Sequence, residues 1–246
     1  MKDILKLFNK NVKHQKINIL SRPYFGKIGH WLEDKMGIKH NSKNEPDING
    51  YEMKKFSKKI TFGDFSASEY AFSKIKQYIP QEIIMTRNNF LSFFGHSNPL
   101  KNNRFSWSGS CVPKYNIWNE YGQILLIDEN NNICIYYSFI KDQRSIKNTF
   151  PEFLKKDVLI AIWKNEKIKK HINKKFNVNG FFFCKLDKKK ESFESIHFGK
   201  PFTFETFLKG IKNNQIIFDS GMVEGNNRNY SKFRSKNQSF WNQFLY

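Results

Sequence analysis

The segment from Asp47 to Lys54 contains two acidic residues and a lysine at spacings that allow their side chains to meet. Asp47 and Glu52 lie on either side of Asn49-Gly50, a strong signal for a tight β-hairpin. In such a hairpin the two carboxylates converge, and carboxylate oxygens are ligands that Mg²⁺ prefers. Glu52 and Lys54 are two positions apart on a predicted strand, so both project from one face. Phosphodiester cleavage needs a metal ion, a positioned water and a nearby positive charge. The segment therefore predicts a Mg²⁺-dependent nuclease site.

Two other segments carry a similar pattern of an acidic residue two positions before a lysine. Glu33-Asp34-Lys35 lies in a predicted helix, where side chains at i and i+2 diverge. Asp187-Lys188-Lys189 has no hairpin with an acidic partner before it. Only residues 47–54 combine a strand, a turn and an upstream aspartate. An exposed charged hairpin is the alternative interpretation of this segment.

The chain is strongly basic, with 42 Lys and Arg against 22 Asp and Glu and a formal net charge of +20. A compact protein of this charge repels itself unless it binds a polyanion, and nucleic acid is the commonest one. An anionic membrane is the main rival partner. The sequence has neither a long amphipathic basic helix nor an apolar run near 18 residues, which argues against a membrane. The basic run Lys164–Lys175 is interpreted as a solvated face that attracts DNA.

Cysteine and histidine usage indicates a cytoplasmic protein without a zinc site. Cys111, Cys134 and Cys184 are far apart, odd in number and outside any CxxC spacing, so we expect reduced thiols. The histidines form no HExxH or similar pair. The basic N-terminus is not followed by an apolar segment with a small-residue cleavage site, so a secretory signal is not expected.

Periodicity predicts the elements that would position the acidic segment. Phe25, Ile28, Leu32 and Met36 form a helical stripe that ends at Gly37. Further helices are predicted at Met1–Phe8, Ser66–Tyr78, Phe150–Lys170, Phe202–Gly210 and Phe240–Tyr246, and strands at Ile60–Phe65, Gln123–Ile127, Ile133–Phe139, Gly180–Leu186 and Ile216–Phe218. The length of 246 residues fits one domain, or one domain in two lobes.

Several arginines lie in polar, loop-like segments with aromatic neighbours, the composition expected where a protein reaches into a DNA groove. They are Arg104, Arg144, Arg228 and Arg234, together with Trp107. An arginine can form a bidentate bond to a guanine edge, worth roughly 1–3 kcal/mol of discrimination. A phosphate contact or an ion pair is the alternative for each arginine, and a place in the core is the alternative for Trp107.

The beginning of the chain resembles the MutH-like branch of the PD-(D/E)xK nucleases. The resemblance is carried by Gly29-His30-Trp31-Leu32-Glu33, Gly37, Ser42-Lys43, Pro46-Asp47 and Glu52-Met53-Lys54. Glu33 falls where this branch carries an auxiliary acidic residue on the helix. The gap from Asp47 to Glu52 is shorter here than in the mismatch-repair nickase of the branch. The Thr-Ile-Pro-like segment that follows Glu-x-Lys in that nickase is absent.

The rest of the chain resembles the MvaI/BcnI group of type II restriction endonucleases, so the similarity runs from about residue 22 to about 241. It is carried by Arg104-Phe105-Ser106-Trp107-Ser108-Gly109, Asn119-Glu120-Tyr121-Gly122-Gln123, Asp142-Gln143-Arg144 and Arg228-Asn229-Tyr230-Ser231-Lys232-Phe233-Arg234. The resemblance implies an α/β (α+β) fold with a mixed sheet and two lobes that form a DNA cleft. The catalytic lobe would span about residues 1–85 with C-terminal contributions, and the recognition lobe about residues 86–235.

The resemblance also implies roles for individual residues. The implied catalytic residues are Asp47, Glu52, Lys54 and Glu33. The implied Mg²⁺ ligands are Asp47, Glu52 and Met53. The implied DNA-binding residues are Arg104, Trp107, Arg144, Arg228, Tyr230 and Arg234.

The implied activity is that of a monomer in a bacterial cytoplasm that acts on double-stranded DNA. It would recognise a pseudopalindromic CC-x-GG site, cut one strand at a time and leave 5′-phosphates. CC(A/T)GG is the expected site, although the residues do not determine the central base. A cognate DNA methyltransferase would be its functional partner. The alternatives are a mismatch-repair nickase that needs partner proteins and a non-enzymatic nucleic-acid-binding protein.

Overall fold

The computed structural model describes residues 1–18, 26–38, 45–73 and 85–246. Its backbone divides into two compact units. Unit 1 contains Met1–Ile60, Lys170–Phe207 and Lys236–Tyr246, and unit 2 contains Thr61–Lys169 and Leu208–Ser235. Residues 170–207 therefore cluster with the N-terminal segment, whereas the sequence resemblance had assigned them to the recognition lobe.

After two N-terminal helices, the described strands follow in groups of two to five that are separated by single α-helices. The described helices are α1 (Lys2–Asn11), α2 (Lys27–Lys35), α3 (Arg87–Phe94), α4 (Asn165–Phe176), α5 (Phe204–Lys212) and α6 (Ser239–Asn242). The described strands are β1 (Glu52–Lys55), β2 (Thr61–Asp64), β3 (Glu69–Tyr70), β4 (His96–Asn98), β5 (Arg104–Trp107), β6 (Tyr121–Ile127), β7 (Ile133–Asp142), β8 (Val158–Trp163), β9 (Phe181–Leu186), β10 (Phe193–Gly199), β11 (Ile216–Ser220), β12 (Met222–Val223) and β13 (Ser231–Ser235). Within these described ranges, no helix has both the length and the apolar character needed to span a bilayer.

Unit 1 is built on a mixed sheet with the strand order β1-β9-β10. β1 runs parallel to β9, with Glu52 opposite Phe181 and Lys54 opposite Phe183, and β10 runs antiparallel to β9. Among the described strands, β1 therefore lies at the edge of this sheet, and the hairpin that precedes it lies along its outer side. A mixed sheet with flanking helices confirms the predicted fold class.

The amphipathic helices α1 and α2 cover one face of this sheet. Phe8 of α1 and Leu32 of α2 are each 1% exposed and belong to one core with Met53 and Phe182 of the sheet. Leu32 and Met36 confirm the described part of the predicted helical stripe, while Phe25 lies outside the described residues. Because side chains alternate along a strand, the neighbours of Met53 must project to the opposite face.

Aromatic rings cover the opposite face. The rings of Phe181 and Phe183 lie 4.9 and 5.5 Å from that of Trp241. Phe176, the last residue of α4, lies 5.8 Å from the same indole. The Nζ of Lys54 is 5.9 Å from the Phe176 ring centroid, which places this lysine on the aromatic face.

The described part of unit 2 contains sheets with the strand orders β3-β8-β7-β6, β11-β13-β2 and β12-β5-β4. Its core is aromatic, with the Phe218 ring 5.4 Å from Trp107 and 5.0 Å from Trp163. Strands β6 and β7, which pair antiparallel, confirm the strands predicted at Gln123–Ile127 and Ile133–Phe139. Of the arginines that the sequence singled out, Arg104 lies on β5 and Arg234 on β13, whereas Arg144 and Arg228 lie in loops.

The predicted helix 66–78 is wrong in its described part, and the predicted helix 150–170 is wrong before Asn165. Val158–Trp163, inside the predicted helix 150–170, is strand β8, because this mostly buried apolar run pairs with β7 on one side and β3 on the other. The helix in this region, α4, begins only at Asn165. Glu69–Tyr70, inside the predicted helix 66–78, is strand β3, and residues 74–78 lie outside the described residues.

Candidate active site

A tight turn at Asn49 and Gly50 brings Asp47 alongside β1. Both turn residues have left-handed backbone angles, with φ of 48° and 76°, as a type I′ hairpin requires. The amides of Asp47 and Ile48 donate to the Tyr51 carbonyl at 3.0 and 3.1 Å. The Tyr51 amide donates back to the Ile48 carbonyl at 2.8 Å. The hairpin predicted from Asn-Gly is confirmed.

The Asp47 carboxylate is fastened to the backbone of β1. Its Oδ2 accepts a hydrogen bond from the Met53 amide at 2.8 Å. The amide and carbonyl of one strand residue point to the same side of the strand. The Met53 carbonyl therefore lies on the Asp47 side of β1, and the open edge of the sheet presents a carboxylate and a main-chain oxygen together.

Glu52 is a buried carboxylate, and only 1% of the residue is exposed. Its Oε1 accepts from the Nζ of Lys54 at 2.5 Å and lies 3.1 Å from the Nζ of Lys175. Its Oε2 is also buried, and no described residue donates a hydrogen bond to it. Because an unpartnered buried carboxylate oxygen is costly, this atom is a candidate metal ligand.

Glu52 is close enough to Asp47 to affect the pKa of the Asp47 carboxyl. Burial raises the pKa of the Asp47 carboxyl, and the Glu52 charge raises it further. The positive charges of Lys54 and Lys175 and the hydrogen bond from the Met53 amide lower it, but only in part, and the resulting pKa is about 6. Two carboxylates that repel each other in a desolvated site provide a strong field for a cation.

The two lysines at Glu52 differ in their proton affinity. Burial lowers the pKa of Lys54, but the charges of Glu52, Asp47 and Glu33 and the hydrogen bond to Glu52 together outweigh burial and leave the pKa above the ordinary value. Burial lowers the pKa of Lys175, and the charge of Lys54 lowers it further, leaving it below the ordinary value. Lys54 therefore holds its proton more firmly than Lys175 does.

Sequence reasoning missed Lys175, which was assigned to a solvated basic face. Its side chain is 13% exposed, whereas that of the preceding Lys174 is 49% exposed. The signal was present in the spacing, because Lys175 is three residues after Ile172 and seven after Ile168, both buried. A lysine within the apolar stripe of a helix indicates a buried partner, and this partner is Glu52.

Glu33, the predicted auxiliary acidic residue, lies on α2. Its Oε2 is 3.4 Å from the Nδ1 of His30, one turn earlier on the same helix. Its charge contributes to the raised pKa of Lys54, so the structure brings it into electrostatic range of the site. A catalytic role for Glu33 stays a prediction.

The residues around Asp47 and Glu52 fit a magnesium ion. In the ranges that the structure describes, no three His, Cys, Asp or Glu side chains surround one point. A cation here would therefore be held by two carboxylates, the Met53 carbonyl and water. Mg²⁺ is commonly bound in this way, through one or two carboxylates and several retained waters. The all-oxygen donor set and the unpartnered Glu52 Oε2 agree with this ion.

Comparison with known proteins assigns the family. Residues 9–246 match the family described as LlaMI restriction endonuclease. The chain belongs to this family. It is similar to the type II restriction enzyme ScrFI of Lactococcus lactis subsp. cremoris, with 38% identity over 261 residues that cover 98% of this chain and 96% of that enzyme. Its fold is similar to that of restriction endonuclease MvaI in complex with cognate DNA substrate, with a TM-score of 0.61, 13% sequence identity, and coverage of 100% of this chain and 94% of the other.

The prediction of a restriction endonuclease is thereby confirmed. The sequence resemblance had suggested MvaI itself, and the 13% identity to the MvaI structure corrects this: the two share a fold and are different proteins. Membership of a restriction endonuclease family sets aside the mismatch-repair nickase and the non-enzymatic binder.

Two residues predicted to contact DNA, Trp107 and Arg144, instead form hydrogen bonds with other residues of this restriction endonuclease. Trp107 is fully buried, and its Nε1 donates to the Gln123 Oε1 at 2.8 Å, so it is a core residue, which corrects the prediction. Arg144 forms a bidentate pair with buried Asp142 at 2.9 and 2.6 Å and donates to the Phe93 carbonyl at 2.8 Å. Its guanidinium is occupied by the protein, and a role in DNA binding would require these bonds to break.

The other predicted DNA-binding residues have more accessible positions. The side chain of Arg228 is 69% exposed, and its guanidinium lies 4.6 Å from the Tyr230 ring centroid. The Arg234 Nε lies 2.9 Å from an Asp219 carboxylate oxygen on β11, without the alignment of a hydrogen bond. Arg104 is partly exposed on β5. Their contacts with DNA stay predictions.

Arg87 is a second residue that sequence reasoning did not assign to a function. Its guanidinium donates to the Asn229 Oδ1 at 2.8 Å, the Val223 carbonyl at 3.1 Å and the Arg228 carbonyl at 3.2 Å. It thereby fastens the loop that carries Arg228 to the start of α3. These bonds join residues more than 130 positions apart, so no local pattern could have revealed them.

Proposed function

We propose that this restriction endonuclease hydrolyses phosphodiester bonds in double-stranded DNA at the site formed by Asp47, Glu52 and Lys54, with Mg²⁺ as its cofactor. The observation that supports this most is the pattern of contacts at the Glu52 carboxylate. Its Oε1 is close to the ammonium groups of Lys54 and Lys175, whereas its buried Oε2 accepts a hydrogen bond from no described residue. Asp47, Glu52 and the Met53 carbonyl would hold the ion. When bound, Mg²⁺ supplies electrophilic stabilisation of the negative charge that develops on the phosphate.

Lys54 is the residue that would orient the attacking water. Its ammonium is held by Glu52 and keeps its proton, so it can donate to the water and offset charge on the phosphate. A firmly protonated lysine does not serve as a general base, so its role is orientation and charge. Glu33 would be the auxiliary acidic residue, and its negative charge would help to keep Lys54 protonated. Attack of water on phosphorus would release a 5′-phosphate and a 3′-hydroxyl.

For recognition we propose a pseudopalindromic CC-x-GG target, CC(A/T)GG, which a monomer cuts one strand at a time. The resemblance to the MvaI/BcnI group is the basis of this proposal. Exposed Arg228, stacked on Tyr230, supports it, because a guanine-rich site needs arginines that reach base edges. Arg104 and Arg234 would join it. In a bacterial cytoplasm, a cognate methyltransferase would protect the host DNA.

Digestion of a mapped plasmid tests these proposals. The purified protein with Mg²⁺ is expected to give discrete fragments whose sequenced ends carry 5′-phosphates within CC-x-GG, and EDTA is expected to stop cleavage. Nicked circles that precede linear DNA would support cutting one strand at a time. Ends at another sequence would overturn the proposed target, and cleavage that persists in EDTA would overturn the role of the metal.

A further inference from the structure

Lys175 is the charged group at the active site for which the proposed hydrolysis has no role. It lies near the end of α4, on the same face as the buried Ile168 and Ile172, and its Nζ reaches Glu52 at 3.1 Å. The adjacent Lys174 points away and pairs with Glu45 at 2.7 Å. Two consecutive lysines thus have different environments, one half-exposed and one inside the site.

Lys175 and Lys54 bind the same oxygen of Glu52. Their Nζ atoms lie 3.1 and 2.5 Å from Oε1, and Oε2 accepts from none of the described residues. Either lysine alone would be enough to hold Oε1 and leave Oε2 directed elsewhere. The second ammonium therefore adds charge more than it adds orientation.

The charge balance of the site changes because of this second ammonium. Asp47 and Glu52 supply two negative charges, and a single lysine would leave the site with a net negative charge that attracts a cation. Lys175 removes one unit of this negative charge: Asp47 and Glu52 are then matched by two ammonium groups, and Glu33, which also acts on Lys54, leaves one negative charge where there would be two. A divalent ion entering this site meets an opposing positive charge a few ångströms away, in surroundings where such interactions are strong.

We propose that the positive charge of Lys175 beside Glu52 keeps the metal affinity of the free enzyme low. The negative charge of a DNA phosphate at the site then restores the balance in favour of the ion, so that a tight metal site is completed only on DNA. The two ammonium groups also add to the positive charge that faces the phosphate. This inference rests on the proposed function, because it assumes that Asp47 and Glu52 hold the metal.

The experiment is a Mn²⁺ titration of the full-length protein without DNA, with free Mn²⁺ measured by electron paramagnetic resonance. Lys175→Met is expected to bind Mn²⁺ on the order of tenfold more tightly than the wild type. Lys174→Met, the matched change on the adjacent exposed lysine, is expected to bind as the wild type does. Lys175→Arg keeps the charge and is expected to keep the low affinity. Asp47→Asn marks the binding that belongs to the site, because it removes a proposed ligand.

The cleavage rate supplies the second readout. Lys175→Met is expected to cleave plasmid DNA at least about tenfold more slowly at saturating Mg²⁺, because it has lost positive charge beside the phosphate. Tighter metal binding combined with slower cleavage is an outcome that a purely structural loss would not give. Lys175→Gln replaces the methionine variant if that variant fails to fold.

The possible failures are distinguishable. If Lys175→Met and Lys175→Gln bind Mn²⁺ no more tightly than the wild type, or show no binding that depends on Asp47, the role of Lys175 is overturned. If Asp47→Asn leaves both Mn²⁺ binding and cleavage unchanged, the proposed function itself is overturned, whatever Lys175 does.

Discussion

At the scale of single residues, the raised pKa of Asp47 reflects the electrostatic environment of the site. Its carboxyl has a pKa of about 6 because it is buried and because Glu52 lies close by. The charges of Lys54 and Lys175 do not compensate for these effects. The metal-free protein therefore bears the cost of an ionised Asp47 at neutral pH, and a bound cation would remove that cost.

Replacement of Asp47 by asparagine is expected to stabilise the metal-free protein at alkaline pH. Between the unfolded pKa, about 4, and the folded pKa, about 6, the folded state holds more protons at Asp47, so the free energy of unfolding falls as pH rises. Asp47→Asn has no carboxyl at this position and does not lose this stability. Between pH 5 and pH 8 its free energy of unfolding should therefore rise by roughly 1–2 kcal/mol relative to that of the wild type, after allowance for solvent screening. Thermal unfolding in EDTA at both pH values measures the difference. An equal pH dependence in the two proteins would contradict the raised pKa.

The sequence predicted the residues of the hairpin but not the second lysine, and the reason is physical. Asp47, Glu52 and Lys54 are related by a local turn and by strand alternation, which are both readable from spacing. Lys175 reaches Glu52 from more than 120 positions away. In a chain with 42 Lys and Arg, a buried lysine looks like its solvated neighbours unless its place on the apolar stripe of a helix is noticed.

At the scale of elements, the Asn49-Gly50 turn controls the spacing of the two carboxylates. Gly50 has φ of 76°, and a Cβ there would lie 2.7 Å from the Asn179 Nδ2. Gly225 also has φ of 76°, but no described atom lies within 4 Å of its Cβ position. Substitutions at the two glycines would cause similar backbone strain, but only a substitution at Gly50 would also cause a steric clash.

Gly50→Ala is expected to lower the melting temperature more than Gly225→Ala does. Both variants bear the strain of a left-handed alanine, roughly 1–2 kcal/mol, and only Gly50→Ala adds a steric clash. Because the clash displaces Asp47 relative to Glu52, Gly50→Ala should also slow cleavage at least about tenfold. Differential scanning calorimetry and plasmid digestion measure these effects. Equal melting temperatures in the two variants would show that the turn is not crowded.

Element prediction succeeded where the pattern was local and failed where pairing partners decided it. The hairpin at 47–54 and the strand from Phe181 to Leu186 follow from turn residues and short apolar runs. Val158–Trp163 was predicted as helix, yet it is a strand because β7 and β3 supply partners on both of its edges. A short apolar run does not reveal such partners, since a buried helix and a buried strand can have the same composition.

At the scale of the whole molecule, the net charge of +20 should make DNA binding strongly dependent on salt. Arg228→Ala is expected to weaken binding and to reduce the slope of log K against log salt by about 1, without a change in melting temperature. Arg144→Ala is expected instead to lower the melting temperature, because buried Asp142 loses its partner. Fluorescence anisotropy with a duplex containing CCAGG, in EDTA, measures the slopes. An unchanged slope for Arg228→Ala would remove this residue from the DNA-binding surface.

The division into units could be predicted from the sequence only in part. The sequence resemblance places the boundary between the two lobes near residue 85. In the structure, however, unit 1 also contains residues 170–207 and 236–246, which lie far downstream in the sequence. These segments bring β9, which pairs with β1, and the end of α4, which carries Lys175. The site therefore depends on segments that are distant in sequence and that only the folded chain brings together.

The central claim is that Asp47 and Glu52 form a metal-dependent hydrolytic site, and the cleavage rate of Asp47→Asn tests it most directly. The matched control is Asp34→Asn, which changes an exposed aspartate in the rival segment Glu33-Asp34-Lys35. With supercoiled plasmid and Mg²⁺, Asp47→Asn is predicted to lose at least about a hundredfold in rate while remaining folded, and Asp34→Asn is predicted to keep the wild-type rate. Cleavage by Asp47→Asn at the wild-type rate would contradict the account.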